Sequence, residues 1–273
     1  PACRPVAGRP GGLNGVAALG PDLFLVVLAA FGAGLVDAMV GGGGLIQLPA
    51  LLTAYPATPP AILLGTNKFA SIFGTGSAVL RFARGVRIPW RMLLPLVPVV
   101  LLGALGGARV ATLVPPAVFR PLVPVMLAVV LVYILWRKDL GASHAPLAVT
   151  RGRAIAAAAL LGGVGFYDGF FGPGTGSFFM FLLIRLYGFD FLHSAASARV
   201  LNVATNAGAL VWFGSQLELL WLVAVLMAAA NVSGALLGTG LALKHGSGFV
   251  RRIFIGVVLV LIARTAWQAY FAP

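Results

Sequence analysis

Gly34-Leu35-Val36-Asp37-Ala38-Met39-Val40-Gly41-Gly42-Gly43-Gly44 and, 131 residues further on, Gly165-Phe166-Tyr167-Asp168-Gly169-Phe170-Phe171-Gly172-Pro173-Gly174-Thr175 are two versions of one pattern. In each, an apolar stretch carries one aspartate and runs into a glycine-rich break. The same offset aligns the rest of the chain without a gap. Gly103 and Gly107 fall on Gly234 and Gly238, Trp90 on Trp221, Arg120 on Arg251 and Trp136 on Trp267. Apolar residues match by chance in such a chain, but Asp, Trp, Arg and spaced Gly do not, so the sequence reads as a duplication. Its parts are a disordered tail over 1–21, a first repeat over 22–137, a linker over 138–152 and a second repeat over 153–273.

Each half has the same order of elements. An apolar helix (22–40 and 153–171) meets the glycine break. A short apolar piece follows (45–55 and 177–187), too short to cross a bilayer. Three longer helices complete the unit, near 61–82, 90–112 and 118–137, with counterparts near 192–213, 218–243 and 249–270.

Composition sets the solvent for these helices. The chain is 60% hydrophobic and 9% charged, with a mean hydropathy of +1.02, where a soluble domain carries about a quarter charged residues. Runs such as Leu23–Val36, Met92–Val110 and Leu217–Leu243 approach or exceed the ~20 residues that cross a bilayer core as helix. The alternation of an outer-membrane barrel is absent. The expected fold class is therefore an all-α polytopic membrane protein, of two homologous repeats with five helical segments each and re-entrant or broken helices at the glycine motifs. The net charge of +13 would suggest nucleic acid in a soluble protein. Here the Lys and Arg lie mostly in short segments between apolar runs, where they anchor to headgroups, so a lipid bilayer is the expected partner and nucleic acid is not. The single cysteine, Cys3, rules out an internal disulfide, and no cofactor or metal-ligand spacing is seen.

A short piece that returns to its own side would leave each repeat with an even number of full crossings and invert the two halves. In that arrangement Arg81, Arg84, Arg87, Arg91, Arg137, Lys138, Arg151, Arg153, Arg185, Lys244, Arg251 and Arg252 face the cytoplasm. Arg4, Arg9, Arg109, Arg120 and Arg264 lie outside. A parallel arrangement separates the charges almost as well. Segment 81–91 has four arginines while its counterpart 212–222 has none and contains Glu218, which favours inversion.

Two cations sit where a membrane helix normally avoids them. Lys68 follows Thr66 and Asn67, and its counterpart is Arg199. A cation at a helix centre costs roughly 2.5–3.5 kcal/mol on insertion scales, so it usually has a partner or a task. By helical spacing Lys68, Ser71 and Thr75 share a face, as do Arg199, Asn202 and Asn206. Two related polar stripes, each headed by a cation, suit an anion; the alternative is snorkelling to headgroups. A half-helix starting after each break would aim its N–H groups at the same place, with Gly43 and Gly44 allowing close approach and Thr175 and Ser177 offering hydroxyls. For Asp37 and Asp168, pairing with a cation, capping of the half-helix and proton coupling all stay open.

Gly34 through Gly44, then Pro49 and Gly65-Thr66-Asn67, resemble the TauE/SafE family, also called 4-toluene sulfonate uptake permeases. Asp168 through Gly176, with Ser197 to Asn206, resembles that family's second motif. The resemblance covers essentially residues 22–270. It implies a secondary-active transporter of a small sulfur-containing anion, sulfite or an organosulfonate such as sulfoacetate. It also implies the inner membrane of a bacterial cell, no enzymatic activity and, as the favoured direction, export. Lys68 departs from the family pattern, and a doubled cation would suit a sulfonate that also bears a carboxylate. Glycine-rich helix faces leave room for a homodimer. The alternatives are a passive anion channel and an intramembrane aspartyl protease built on Asp37 and Asp168.

Overall fold

The computed structural model describes residues 21–115, 117–118, 147 and 150–270. The expected tail up to residue 20, the first half's last expected helix beyond residue 118 and most of the linker 138–152 lie outside the described residues.

The described residues are helical, without strands. The order is α1 (Pro21–Val40), α2 (Gly44–Ala54), α3 (Pro60–Phe82), the one-turn α4 (Trp90–Leu93), α5 (Leu96–Leu113), α6 (Arg151–Phe170), α7 (Thr175–Tyr187), α8 (Phe191–Gln216) and α9 (Trp221–Tyr270). Helices α2, α3 and α4 begin at residues 44, 60 and 90, and α7, α8 and α9 at 175, 191 and 221, each pair 131 apart. Local chemistry sets several of these ends. Pro60 opens α3 at a position whose N–H would be unpaired anyway. The Thr150 and Asp190 side chains accept from the backbone N–H groups of Arg153 and His193 at the starts of α6 and α8. Gly188 closes α7 in the left-handed region, φ 70°.

One expected helix differs in detail. The one expected near 90–112 is interrupted between α4 and α5 at Pro95, which has no N–H for the intrahelical ladder. The range of α9 takes in the two helices expected near 218–243 and 249–270, which meet at a kink at Gly246, whose φ of 71° and ψ of −168° are not helical.

Asp22–Val40, Leu96–Leu113 and Trp221–Gly246 are long and apolar enough to cross a membrane. Helices α3 and α8 have 23 and 26 residues, enough length to span, and carry buried polar side chains. By contrast α2 and α7, with 11 and 13 residues, reach only about 16 and 20 Å of a ~30 Å core. Large apolar side chains such as Phe24, Leu80, Leu102, Ile155 and Val211 point outward, as lipid solvent permits. This is a polytopic all-α membrane protein.

Lipid gives helices no hydrophobic reason to associate, so close backbone packing does the work. Helix α1 packs on α9 and α5 on α6; α3 packs on α9 and α5 on α8; α3 and α8 pack on each other. Every one of these contacts joins the first half to the second. Glycine makes them possible. A Cβ at Gly107 would strike the Phe166 carbonyl of α6, and one at Gly238 would strike the Leu35 carbonyl of α1. The two halves thus interlock rather than sit side by side.

A candidate anion site at the paired helix breaks

The site begins with backbone. After α1 the chain turns at Gly41, φ +83°, and after α6 at Gly172, φ +97°, with Gly174 at φ +82°. L side chains avoid these conformations. The two breaks also touch, since a Cβ on Gly41 or on Gly176 would collide with the backbone of the other. The N-termini of α2 and α7 therefore start close together, and each brings roughly half a positive charge. Three hydroxyls hold the junction. Tyr167 donates to the Pro173 carbonyl at 2.7 Å, Thr175 to Gly172 at 2.6 Å, and Ser177 across the halves to Val40 at 2.8 Å.

Helices α3 and α8 run past the junction and deliver the cations. Lys68 Nζ lies 2.8 Å from Asp168 Oδ1, and Arg199 Nη1 lies 2.6 Å from Asp37 Oδ2. The pairs are crossed, each joining a cation of one half to the aspartate of the other, and the 131 offset carries one pair onto the other. Lys68, Asp168 and Arg199 are buried, and the Asp37 side chain is 16% exposed. Breaking a buried pair is far more costly than the pair is stabilising, so such pairs fix register more than they add stability. The environments then diverge. Asp37 Oδ1 also accepts the Gly43 N–H at 3.2 Å, at the start of α2. Asp168 Oδ2 has no protein partner among the described residues.

A polar cavity opens here, with about 400 Å³ of atom-free space counted out to its open side. It is lined by Asp37, Gly43 and Gly44 from the first break, by Asn67, Lys68, Ser71 and Thr75 from α3, and by Asp168, Asn202 and Asn206 from the second half. The α3 and α8 stripes meet where Asn206 Nδ2 approaches Thr75 Oγ1 at 3.5 Å.

Four of the residues that the sequence pattern points to are placed elsewhere. Arg199 is fully buried behind Asp37, with Nη2 against Gly176, and does not line the cavity. Thr66 donates to Ile62 and accepts from the Leu220 N–H. Thr175 and Ser177 are committed to the junction. Conversely, Gly41, Gln47, Gly172, Gly176 and Asn231 line the cavity, and the sequence pattern does not point to them as site residues. Gln47 and Asn231 are lone amides in apolar stretches, which is a legible signal. Their counterparts, Phe178 and Val100, are apolar, so a search guided by the repeat passes over them.

Two cations and two carboxylates cancel, and the helix N-termini leave the balance positive.

The profile of the family described as Sulfite exporter TauE/SafE matches residues 26–265. The chain belongs to that family. Among curated proteins it is 36% identical over 245 residues to the probable membrane transporter protein ORF9 of a Sinorhizobium species, covering 89% of this chain and 91% of that one. It is 32% identical over 261 residues to a probable membrane transporter protein of Haemophilus influenzae, 93% of this chain and 98% of the other. With the probable membrane transporter protein YfcA of Escherichia coli K12 it shares 31% over 253 residues, 92% and 91% of the two chains. No solved structure matches. The protein is thus a multi-pass membrane transporter of the TauE/SafE family.

Proposed function

We propose that this TauE/SafE transporter moves sulfite or a small organosulfonate such as sulfoacetate out of a bacterial cell, across the inner membrane, by secondary-active alternating access. The observation that carries this reading is the crossed pair of buried salt bridges at the two touching helix breaks, with Lys68 on the cavity wall. An anion that takes a share of Lys68 from Asp168 loosens one tie between the halves. The other tie, in which Arg199 is set back from the cavity behind Asp37, holds. With repeats of inverted topology, rocking of one half against the other would then open the site to alternate sides.

General acid/base proteolysis needs neighbouring carboxyls with separated proton affinities. Here each aspartate is engaged by a cation, so the geometry lends that alternative no support. The test is counterflow in proteoliposomes of fixed orientation with sulfite, sulfoacetate, taurine and sulfate. Saturable exchange of sulfite or a sulfonate supports the reading; exchange of sulfate best of all, or of none, counts against it.

A further inference from the structure

Among the described residues, three buried polar atoms on side chains that line the cavity have no protein partner, the donor Gln47 Nε2 and the acceptors Asp168 Oδ2 and Asn67 Oδ1. The donor is Gln47 Nε2. Its freedom follows from a chain of amide orientations. Asn231 approaches the Ala30 carbonyl at 3.2 Å, and a carbonyl only accepts, so the Asn231 nitrogen faces it. The same nitrogen lies 3.1 Å from Gln47 and therefore meets the Gln47 oxygen. That leaves Gln47 Nε2 without a protein partner among the described residues, on a side chain that is 1% exposed and lines the cavity. The missing side chain at Gly74 leaves room for the Asn231 amide oxygen, and the Asn231 backbone carbonyl is packed on Gly34.

The charged acceptor is Asp168 Oδ2, and the neutral one is Asn67 Oδ1. Asp168 Oδ1 is held by Lys68, while Oδ2 is buried and unpaired among the described residues. The related carboxylate, Asp37, has both oxygens engaged, by the Gly43 N–H and by Arg199. Buried polar atoms are hydrogen-bonded in roughly nine cases of ten. Three exceptions in one cavity, a donor and two acceptors, describe the ligand that would satisfy them.

That ligand accepts from Lys68 and Gln47 and donates to Asp168. A bare dianion cannot do so, because an oxygen set against Asp168 Oδ2 would bring two negative atoms together. The charged groups around the position are Lys68 from α3, Asp168 from α6 and Asp37 from α1, with Arg199 from α8 behind Asp37. We infer that the cavity selects a monoanion bearing its own hydrogen-bond donor, a protonated oxyanion such as hydrogensulfite, with Gln47 reading an acceptor oxygen and Asp168 the O–H. This rests on the proposed role of the cavity as a sulfur-oxyanion site and narrows it to hydrogensulfite, since sulfonates such as sulfoacetate bring no donor for Asp168. A site with an unshared buried acceptor rejects whatever lacks the proton to satisfy it.

The experiment uses the full chain, purified in detergent, and calorimetric titration at mildly acid pH, where sulfite is mostly its monoanion. Three probes are compared: hydrogensulfite, methanesulfinate, which puts a methyl in place of the hydroxyl at the same charge and shape, and sulfate. Hydrogensulfite is expected to bind about ten- to a hundredfold more tightly than the other two, the range for one charge-assisted hydrogen bond. Gln47→Leu should weaken hydrogensulfite about tenfold or more in protein that still folds, with a modest fall in melting temperature from the lost Asn231 contact, and Gln47→Glu, which keeps that acceptor and puts a second in place of the donor, should weaken it further. Methanesulfinate or sulfate binding as tightly as hydrogensulfite would overturn the inference, as would a Gln47→Leu protein that binds normally. If all three anions bind alike and all are lost on Lys68→Gln, the transport reading stands and this inference falls. If none binds the folded wild-type chain, both fall.

Discussion

Replacing Asp37 with Ala should cost this protein more stability than removing any other charge at the site. Arg199 is fully buried, and its contacts are few. Nη1 pairs with Asp37 at 2.6 Å, Nε reaches its own helix at Ala195 only at 3.4 Å, and Nη2 has no partner among the described residues. Without Asp37 the guanidinium would keep its charge, since arginine does not deprotonate in proteins. It would retain one long hydrogen bond. Stranding a buried charge in this way costs about 3–5 kcal/mol. At about 2–4 °C per kcal/mol for a chain of this class, the melting temperature should fall by roughly 6–20 °C. Thermal unfolding in detergent, followed by a probe of tertiary structure, reads the shift. The Asp37→Ala, Arg199→Leu double variant removes both charges and should recover much of the loss, with a coupling of up to about 3 kcal/mol. An Asp37→Ala protein that melts within about 2 °C of wild type would refute the reasoning. So would a double variant no more stable than the single.

Asp168→Ala should destabilise less than Asp37→Ala in the same melts, because Lys68 lines the polar cavity whereas Arg199 is closed off behind Asp37. Gly41→Ala should lower expression of folded protein sharply. The φ of +83° alone costs about 1–2 kcal/mol for an L residue, and the new Cβ would meet the Gly176 backbone; detergent gel filtration would show the loss of monodisperse material. Gly107→Leu should part α5 from α6 at the Phe166 carbonyl, and a wild-type elution profile with normal melting would contradict it. Ser177→Ala removes the hydroxyl that reaches Val40 across the breaks and should cost about 1 kcal/mol, read as a small downward melting shift.

Much of this was legible in the sequence, for identifiable physical reasons. The bilayer solvent follows from charge depletion, and the elements follow from repeated punctuation by glycine and proline. Helices α2 and α7 were visible as segments too short to span because a break with four glycines in one copy cannot belong to a continuous helix. Lys68 and Arg199 stood out because lipid makes an idle cation expensive. The crossed pairing was not legible, because it depends on the halves interlocking, and sequence spacing says nothing about which half meets which. Gln47 and Asn231 escaped for the opposite reason. They depart from the repeat, whose other copy has Phe178 and Val100 in their places. Arg199 shows the limit of symmetry most plainly: it matches Lys68 in sequence and in its partner's type, yet only Lys68 lines the cavity. The break between α4 and α5 turns on Pro95, within a run otherwise apolar enough to read as one helix.

The most direct test is sulfite flux in proteoliposomes holding wild-type protein or Lys68→Gln, a change that keeps a hydrogen-bond donor for Asp168 while removing the charge. Saturable flux in the wild type, reduced at least about tenfold in a variant that still folds, is the predicted result. Equal flux in the two proteins would contradict the assignment of Lys68 and its cavity as the path of the anion.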